Sequence, residues 1–170
     1  YLAYEEAPIE AAFFPLSSGR TRDFTEITGK ETVDGTTYPY LVAVSCENDI
    51  FSEQFVHQKV YSNTELHTLL SEIIQEDRPE DRPAIFSDDN LKILERDSSG
   101  YALQVQVGDR IVPGEQFREL LELSSACFRI QIEGEDKGQK ILFTTNGIGL
   151  GVGMSQHEAM QSHRKWKRTQ

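Results

Sequence analysis

The most unusual chemistry in this chain is concentrated in residues 147–156, which read GIGLGVGMSQ. Glycine at every second position lets the backbone approach a ligand or a neighbouring segment closely, or adopt positive φ, and it prevents an ordinary packed strand. Three familiar chemistries fail on spacing. A dinucleotide fingerprint from Gly147 requires glycine where Val152 stands, a P-loop requires Gly-Lys-Ser/Thr, and a nucleophile elbow around Ser155 requires glycine where His157 stands. What remains is a tight glycine turn ahead of a helix, with Ser155 available to cap it.

Other reactive side chains form weaker patterns. The run HEAMQ at 157–161 has the first half of a zinc helix, but Gln161 occupies the second ligand position and His163 lies off the face of His157, so both histidines read as solvated helix surface. Cys46 and Cys127 are the only cysteines, without C-x-x-C spacing. Cys127 reads as a small core residue in an apolar strand. Cys46, in a loop, could join His57 or His67 at a metal, and an oxidising compartment would permit a Cys46–Cys127 disulfide. The basic run HRKWKR near the end, with Trp166 inside it, reads as a frayed terminus or as a contact to an anionic polymer.

Seventeen Lys+Arg against twenty-eight Asp+Glu leave a net charge of −11 in 170 residues. Such a surface repels phosphate backbones and anionic lipid heads, so nucleic acid is excluded as a main partner and a largely neutral ligand is favoured. With 38% hydrophobic and 26% charged residues the composition is that of a globular domain, long enough to build a core without metals or disulfides. No apolar run reaches the roughly eighteen residues of a membrane span, and no charged segment precedes an apolar one at the start.

The elements that position these residues come in runs of strands rather than alternating with helices, which predicts an α+β fold, mainly antiparallel sheet with a few short helices. Residues 1–14 read as two strands joined at Glu5-Glu6, the second alternating Ile9, Ala11 and Phe13, and a helical turn follows over 23–27. Strands are predicted over 40–44 and 55–61, then a helix opened by a Ser62/Glu65 capping box and striped by Leu66, Leu69, Leu70, Ile73 and Ile74. Residues 75–83, QEDRPEDRP, end that helix in an exposed connection. Strands over 91–96 and 101–107 flank Asp97-Ser98-Ser99-Gly100, which is hairpin chemistry. A short helix over 115–121 and strands over 127–132 and 140–145 complete the pattern.

Residues 147–159, GIGLGVGMSQHEA, resemble the signature of the stage II sporulation protein D family, approximately G-x-G-H-G-V-G-M-S-Q-Y-G-A, with an unbroken GVGMSQ. Further blocks agree in order. PIEAAFFPLSSGRT at 8–21 is similar to the family's P-I-x-A-x-F-x-x-S-S-G-G-x-T, PYLVAV at 39–44 to P-Y-L-x-x-V, and FRELLELSSACF at 117–128 to R-x-x-L-G-L-x-S-x-x-F. The resemblance covers residues 1–161 as one domain and leaves 162–170 as a basic tail.

The resemblance implies a lytic transglycosylase of bacterial cell-wall glycan. In that chemistry one glutamic acid protonates the leaving oxygen and then, as a base, helps the muramyl C6 hydroxyl close onto C1, giving a 1,6-anhydro end; ordinary glycoside hydrolysis uses two carboxylates. Such an acid needs a raised pKa. The family's glutamate lies in an upstream motif resembling G-E-M-P, which this chain lacks, so no catalytic residue is assigned here and the chain alone is expected to be inactive. Leu150 replaces the histidine of G-H-G, and His157 and Glu158 replace the tyrosine and glycine after S-Q. Glu10 and Glu158 lie near the matched blocks, but nothing gives either a proton-retaining site.

The resemblance further implies that the chain is the C-terminal portion of a longer protein, located outside the cytoplasmic membrane and anchored through a segment not included. Its expected partners are peptidoglycan glycan strands and other cell-wall hydrolases, with no cofactor and no metal assigned. Ser17, Ser18, Gly19 and Thr21 on one loop, with Gly151, Gly153, Met154, Ser155 and Gln156 on another, are the expected groove, because short hydroxyl and amide groups beside bare backbone suit a sugar. Two other readings stay open: a degenerate member that binds glycan or a partner without cutting, and GVGMSQ kept as a folding motif only.

Overall fold

A computed structural model describes residues 3–30, 32, 33, 35–71, 73, 74, 85–135 and 138–168, excluding the side chains of 32, 33 and 165–168. In chain order the elements are β1 (Ala3–Tyr4), β2 (Ala7–Pro8), β3 (Phe13–Phe14), α1 (Phe24–Thr28), β4 (Thr32–Val33), β5 (Thr36–Thr37), a 3₁₀ turn (Asp49–Phe51) and β6 (Val56–Ser62). They continue as α2 (Asn63–Leu69), β7 (Leu91–Arg96), β8 (Ala102–Val107), β9 (Arg110–Pro113), α3 (Gly114–Leu120), β10 (Phe128–Glu133), β11 (Lys140–Asn146), β12 (Met154–Ser155) and α4 (Gln156–Arg168). This is an α+β fold with mainly antiparallel sheets. The chain divides into two compact units: Tyr1–Phe55, Asp97–Gly100 and Asn146–Gln170 in the first, Val56–Arg96 and Tyr101–Thr145 in the second.

The second unit holds the apolar core. Its two three-stranded sheets run β10-β11-β6 and β7-β8-β9, with β10·β11, β7·β8 and β8·β9 antiparallel. Along β11 burial alternates, so Ile141, Phe143 and Thr145 point inward while their neighbours are less covered, as a half-buried strand requires. Phe117 of α3 lies against Phe128 and Phe143, with ring centroids 5.5 and 5.9 Å away, and Leu66, Leu70, Val105 and Leu121 join the same fully buried cluster. The capping box forms as the sequence predicts: Ser62 Oγ accepts from the Glu65 N–H at 3.3 Å and Glu65 Oε2 from the Ser62 N–H at 2.8 Å. The Ser62 backbone N–H and hydroxyl hold the Glu65 carboxyl below its usual range.

The first unit is built differently. Glu5 and Glu6 both take positive φ, 48° and 66°, closing the β1–β2 hairpin where the sequence places its turn. Asp23 caps α1 by accepting from the Thr25 N–H at 2.9 Å, and Gly29 at φ 64° ends it. The Thr25 hydroxyl, with backbone N–H groups, lowers the Asp23 carboxyl. Few large apolar side chains of this unit are buried: Phe14, Leu16 and Leu41, joined by the thiol of Cys46. Ser17, Thr21, Arg22, Asp49, Asp97 and Ser155 are buried beside them.

Several sequence expectations shift. Residues 40–44 form no ladder strand, because their backbone bonds are satisfied singly: Leu41 O accepts from Phe24 N, and Val44 exchanges bonds with the Thr21 N–H and hydroxyl. The predicted strand through Ile9, Ala11 and Phe13 is interrupted after Pro8, and Phe13-Phe14 pairs in parallel with Met154-Ser155 instead. Helix α2 ends at Leu69, whose side chain is exposed, before the stripe reaches Ile73 and Ile74. Residues 162–168 continue α4 as helix. Cys46, not Cys127, is the buried thiol; Cys127 sits half-buried just before β10, its N–H turned to Ser125 Oγ, and no disulfide joins the two. The expected connection at 75–83 lies outside the described residues.

Truncating the ring at the centre of the second unit tests this division. Phe117→Ala is expected to cost about 3–5 kcal/mol and Ile111→Ala, at an exposed site, about 0.5 kcal/mol or less, both read by urea denaturation.

Candidate functional site

The two loops matched in the sequence come together in the first unit around one buried carboxylate. Asp49 is fully buried; its Oδ2 accepts from the Ser17 N–H at 2.8 Å and from the Ser155 hydroxyl at 2.6 Å, and its Oδ1 lies 3.0 Å from His157 Nδ1. Two stretches remote in sequence, around Ser17 and over Ser155–His157, therefore share one acceptor. The Gln161 amide nitrogen lies 3.3 Å from His157 Nε2, so both ring nitrogens have a partner within hydrogen-bond distance. His157 is thus a structural partner rather than the solvated surface residue its sequence position suggests, whereas His163 is exposed.

Ser155 caps α4, its Oγ accepting from the Glu158 N–H at 3.3 Å, as its place before the helix predicts. Glu158 turns away and accepts from the Asn48 N–H at 2.8 Å and from the Asn48 side-chain amide. Both of its carboxylate oxygens are thus engaged by Asn48. Asp49 and Asn48 escape sequence reasoning, because a polar run such as ENDI gives no period or spacing that separates a buried acid from a solvated one.

Glycine is required in the second loop for two reasons. Gly147 and Gly153 take φ of 77° and 88°, and a Cβ on Gly153 would sit 2.2 Å from Ala12 O, one on Gly147 2.7 Å from the Ser17 carbonyl carbon. The stretch 147–155 therefore lies flat along 12–17, with Leu16 and Ile148 exchanging backbone bonds at 3.2 and 2.7 Å. Beside it, the Arg22 N–H donates to Gly151 O at 2.8 Å. Arg22 itself is buried, with Nε 2.6 Å from Asp97 Oδ2 and Nη1 3.2 Å from Leu150 O. It follows the matched SSGRT directly, and that adjacency is the one sequence signal that could have drawn attention to it.

The nine expected groove residues divide by exposure. Ser17, Thr21, Gly151 and Ser155 are buried, and the three hydroxyls are engaged within the protein: Ser17 Oγ accepts from the Gly19 N–H at 3.1 Å, and Thr21 Oγ1 accepts from the Val44 N–H at 2.8 Å. Ser18, Gly19 and Gly153 are half-buried, and Met154 and Gln156 are exposed, which leaves these five accessible to a ligand.

An adjoining cavity of about 620 Å³ has walls of a different kind. Phe13, Phe24, Ile27, Tyr38 and Leu150 line it, with the carboxylate-bearing Glu10 at its edge. Phe24 and Tyr38 pack with centroids 4.7 Å apart, and Tyr40 meets the other side of Tyr38 at 6.2 Å. Leu150, at the position of the family's histidine, is half-exposed at this wall. Among the described residues no group of three or more His, Cys, Asp and Glu side chains is arranged to hold a metal ion.

Comparison with known proteins agrees with the motif reading. Stage II sporulation protein D of Bacillus amyloliquefaciens is 30% identical over 159 residues, 93% of this chain and 40% of that protein. The protein of the same name from Bacillus subtilis (strain 168) is 28% identical over 158 residues, with the same shares. No family model matches the chain. The resemblance to the stage II sporulation protein D family carried by GVGMSQ therefore holds along nearly the whole chain, which spans about 40% of the length of these relatives. Among the described residues no helix is long and apolar enough to cross a membrane.

Two measurements probe the loop junction. Gly153→Ala places a Cβ against Ala12 O at unfavourable φ and is expected to cost about 2–4 kcal/mol, visible as a lowered melting temperature. Burial pushes the Cys46 thiol up, with the Asp49 and Glu158 carboxylates adding to the shift against a Ser17 hydrogen bond. Because the folded value exceeds the unfolded one, stability falls as pH rises from the unfolded thiol value toward the folded one. In a Cys127→Ser background, iodoacetamide is accordingly expected to label Cys46 only after denaturation.

Proposed function

We propose that this chain, similar to the stage II sporulation protein D family, supplies the glycan-holding part of a protein acting on bacterial cell-wall glycan strands by lytic transglycosylase chemistry. The observation that carries the reading is the junction of the two matched loops beside an aromatic cavity. Ser18, Gly19, Gly153, Met154 and Gln156 offer a hydroxyl, an amide and bare backbone to a sugar, and the rings of Phe24 and Tyr38 offer flat apolar faces to its C–H side. Glu158 is tied to Asn48 and Glu10 is exposed, so neither is assigned as the acid; that glutamate belongs to a segment outside this chain. In this reading the protein works outside the cytoplasmic membrane, anchored by a segment beyond these residues, beside other cell-wall hydrolases.

A second reading, a member that binds glycan without cutting, is favoured by Leu150, which puts an apolar side chain at the cavity wall where the family carries an ionisable one. One assay separates the two. Peptide-stripped glycan strands are incubated with the full gene product and, separately, with residues 1–170, and 1,6-anhydromuramyl ends are sought by mass spectrometry. The proposal expects ends from the full product and binding alone from the 170-residue chain. Binding without ends from either selects the second reading, and absence of binding by both overturns each.

A further inference from the structure

The cavity beside the loop junction carries an inference about which sugar it takes, and this rests on the glycan reading above. We propose that it selects an uncharged N-acetylated hexose ring over one bearing a carboxylate, with Glu10 as the specificity-determining residue.

The walls are apolar and aromatic, suited to the C–H face of a pyranose and to an acetyl methyl, and at about 620 Å³ the space lies within the range of small-ligand sites. Glu10 carries the single formal charge among the described residues that line it. Among the described residues no cation lines it. Arg22 reaches the Leu150 carbonyl with Nη1, but its guanidinium is paired with the buried Asp97. The first unit as a whole is also net acidic, with twelve Asp and Glu side chains against seven Lys and Arg.

A cell-wall glycan alternates two N-acetylated sugars. The muramyl unit carries a lactyl ether, whose carboxylate is free once the peptide is removed, while the glucosamine unit has no such group. A lactyl carboxylate entering this cavity would approach Glu10 with no cation among the described lining residues, whereas the glucosamine unit meets no electrostatic penalty. The cavity therefore accepts N-acetylglucosamine and leaves the muramyl ring to the more polar junction formed by Ser18, Gly153 and Gln156.

The test compares binding of an N-acetylglucosamine tetramer and of peptide-free cell-wall glycan by calorimetry, using the wild-type chain, Glu10→Gln and Tyr38→Ala. Wild type is expected to bind the neutral tetramer more tightly per site. Glu10→Gln is expected to raise affinity for the carboxylate-bearing strand about 5-fold while changing the tetramer less than about 2-fold, a gain that shrinks in about 0.5 M salt. Tyr38→Ala is expected to weaken both. Equal effects of Glu10→Gln on the two ligands, or wild-type preference for the charged strand, overturn the charge selection and leave the glycan reading standing. Unchanged binding in Tyr38→Ala overturns the placement in this cavity, and no binding of either ligand overturns the glycan reading itself.

Discussion

The first unit depends on the buried carboxylate of Asp49. With few large apolar side chains inside, this unit is organised less by area removed from water than by satisfied polar groups. A buried carboxylate is tolerated only when donors replace its lost hydration, and here the Ser17 backbone N–H from one stretch and the Ser155 hydroxyl and His157 imidazole from another do so. The dependence runs both ways. Ser17 and Ser155 are themselves buried, so deleting the acceptor strands both of them and removes the partner of His157 Nδ1. Such a centre fixes geometry sharply and fails abruptly, in contrast to the apolar cluster around Phe117, which can absorb small volume changes by repacking.

Arg22 and Asp97 apply the same principle elsewhere in the first unit. A buried pair of this kind adds little net stability compared with an apolar replacement, but losing one member costs about 3–5 kcal/mol, because the other charge is left uncompensated. Arg22 also touches the glycine loop twice, through its own N–H to Gly151 O and through Nη1 to Leu150 O. The conformation of that loop, and with it the Leu150 wall of the aromatic cavity, is therefore held by polar contacts from Arg22.

Local signals in the sequence were read well where the physics is local. The Ser62/Glu65 box, the Glu5-Glu6 turn, the Asp97–Gly100 turn and the cap at Ser155 each depend on residues within four positions of one another, and each forms where expected. Misreadings arose where a distant partner decides. Residues 40–44 have the composition of a strand but spend their bonds on Thr21 and Phe24, and His157 looks like a surface residue until Asp49 arrives from 108 positions away. The site was half legible: the motif identified the two loops, but not that Ser17, Thr21 and Ser155 face inward to build them, nor that an aromatic cavity lies alongside.

The division of the chain gives its synthesis an order. The second unit is complete once residue 145 has been made, and its sheets are hairpins between sequence neighbours apart from the contribution of β6. The first unit cannot close its polar centre until residues 155 and 157 exist, long after Ser17 and Asp49. Until residues 147–157 are made, residues 12–22 lack their glycine partner, and the carboxylate that will end in the interior stays hydrated. The loop junction is thus a late seal, formed when residues 147–157 return to residues 12–17.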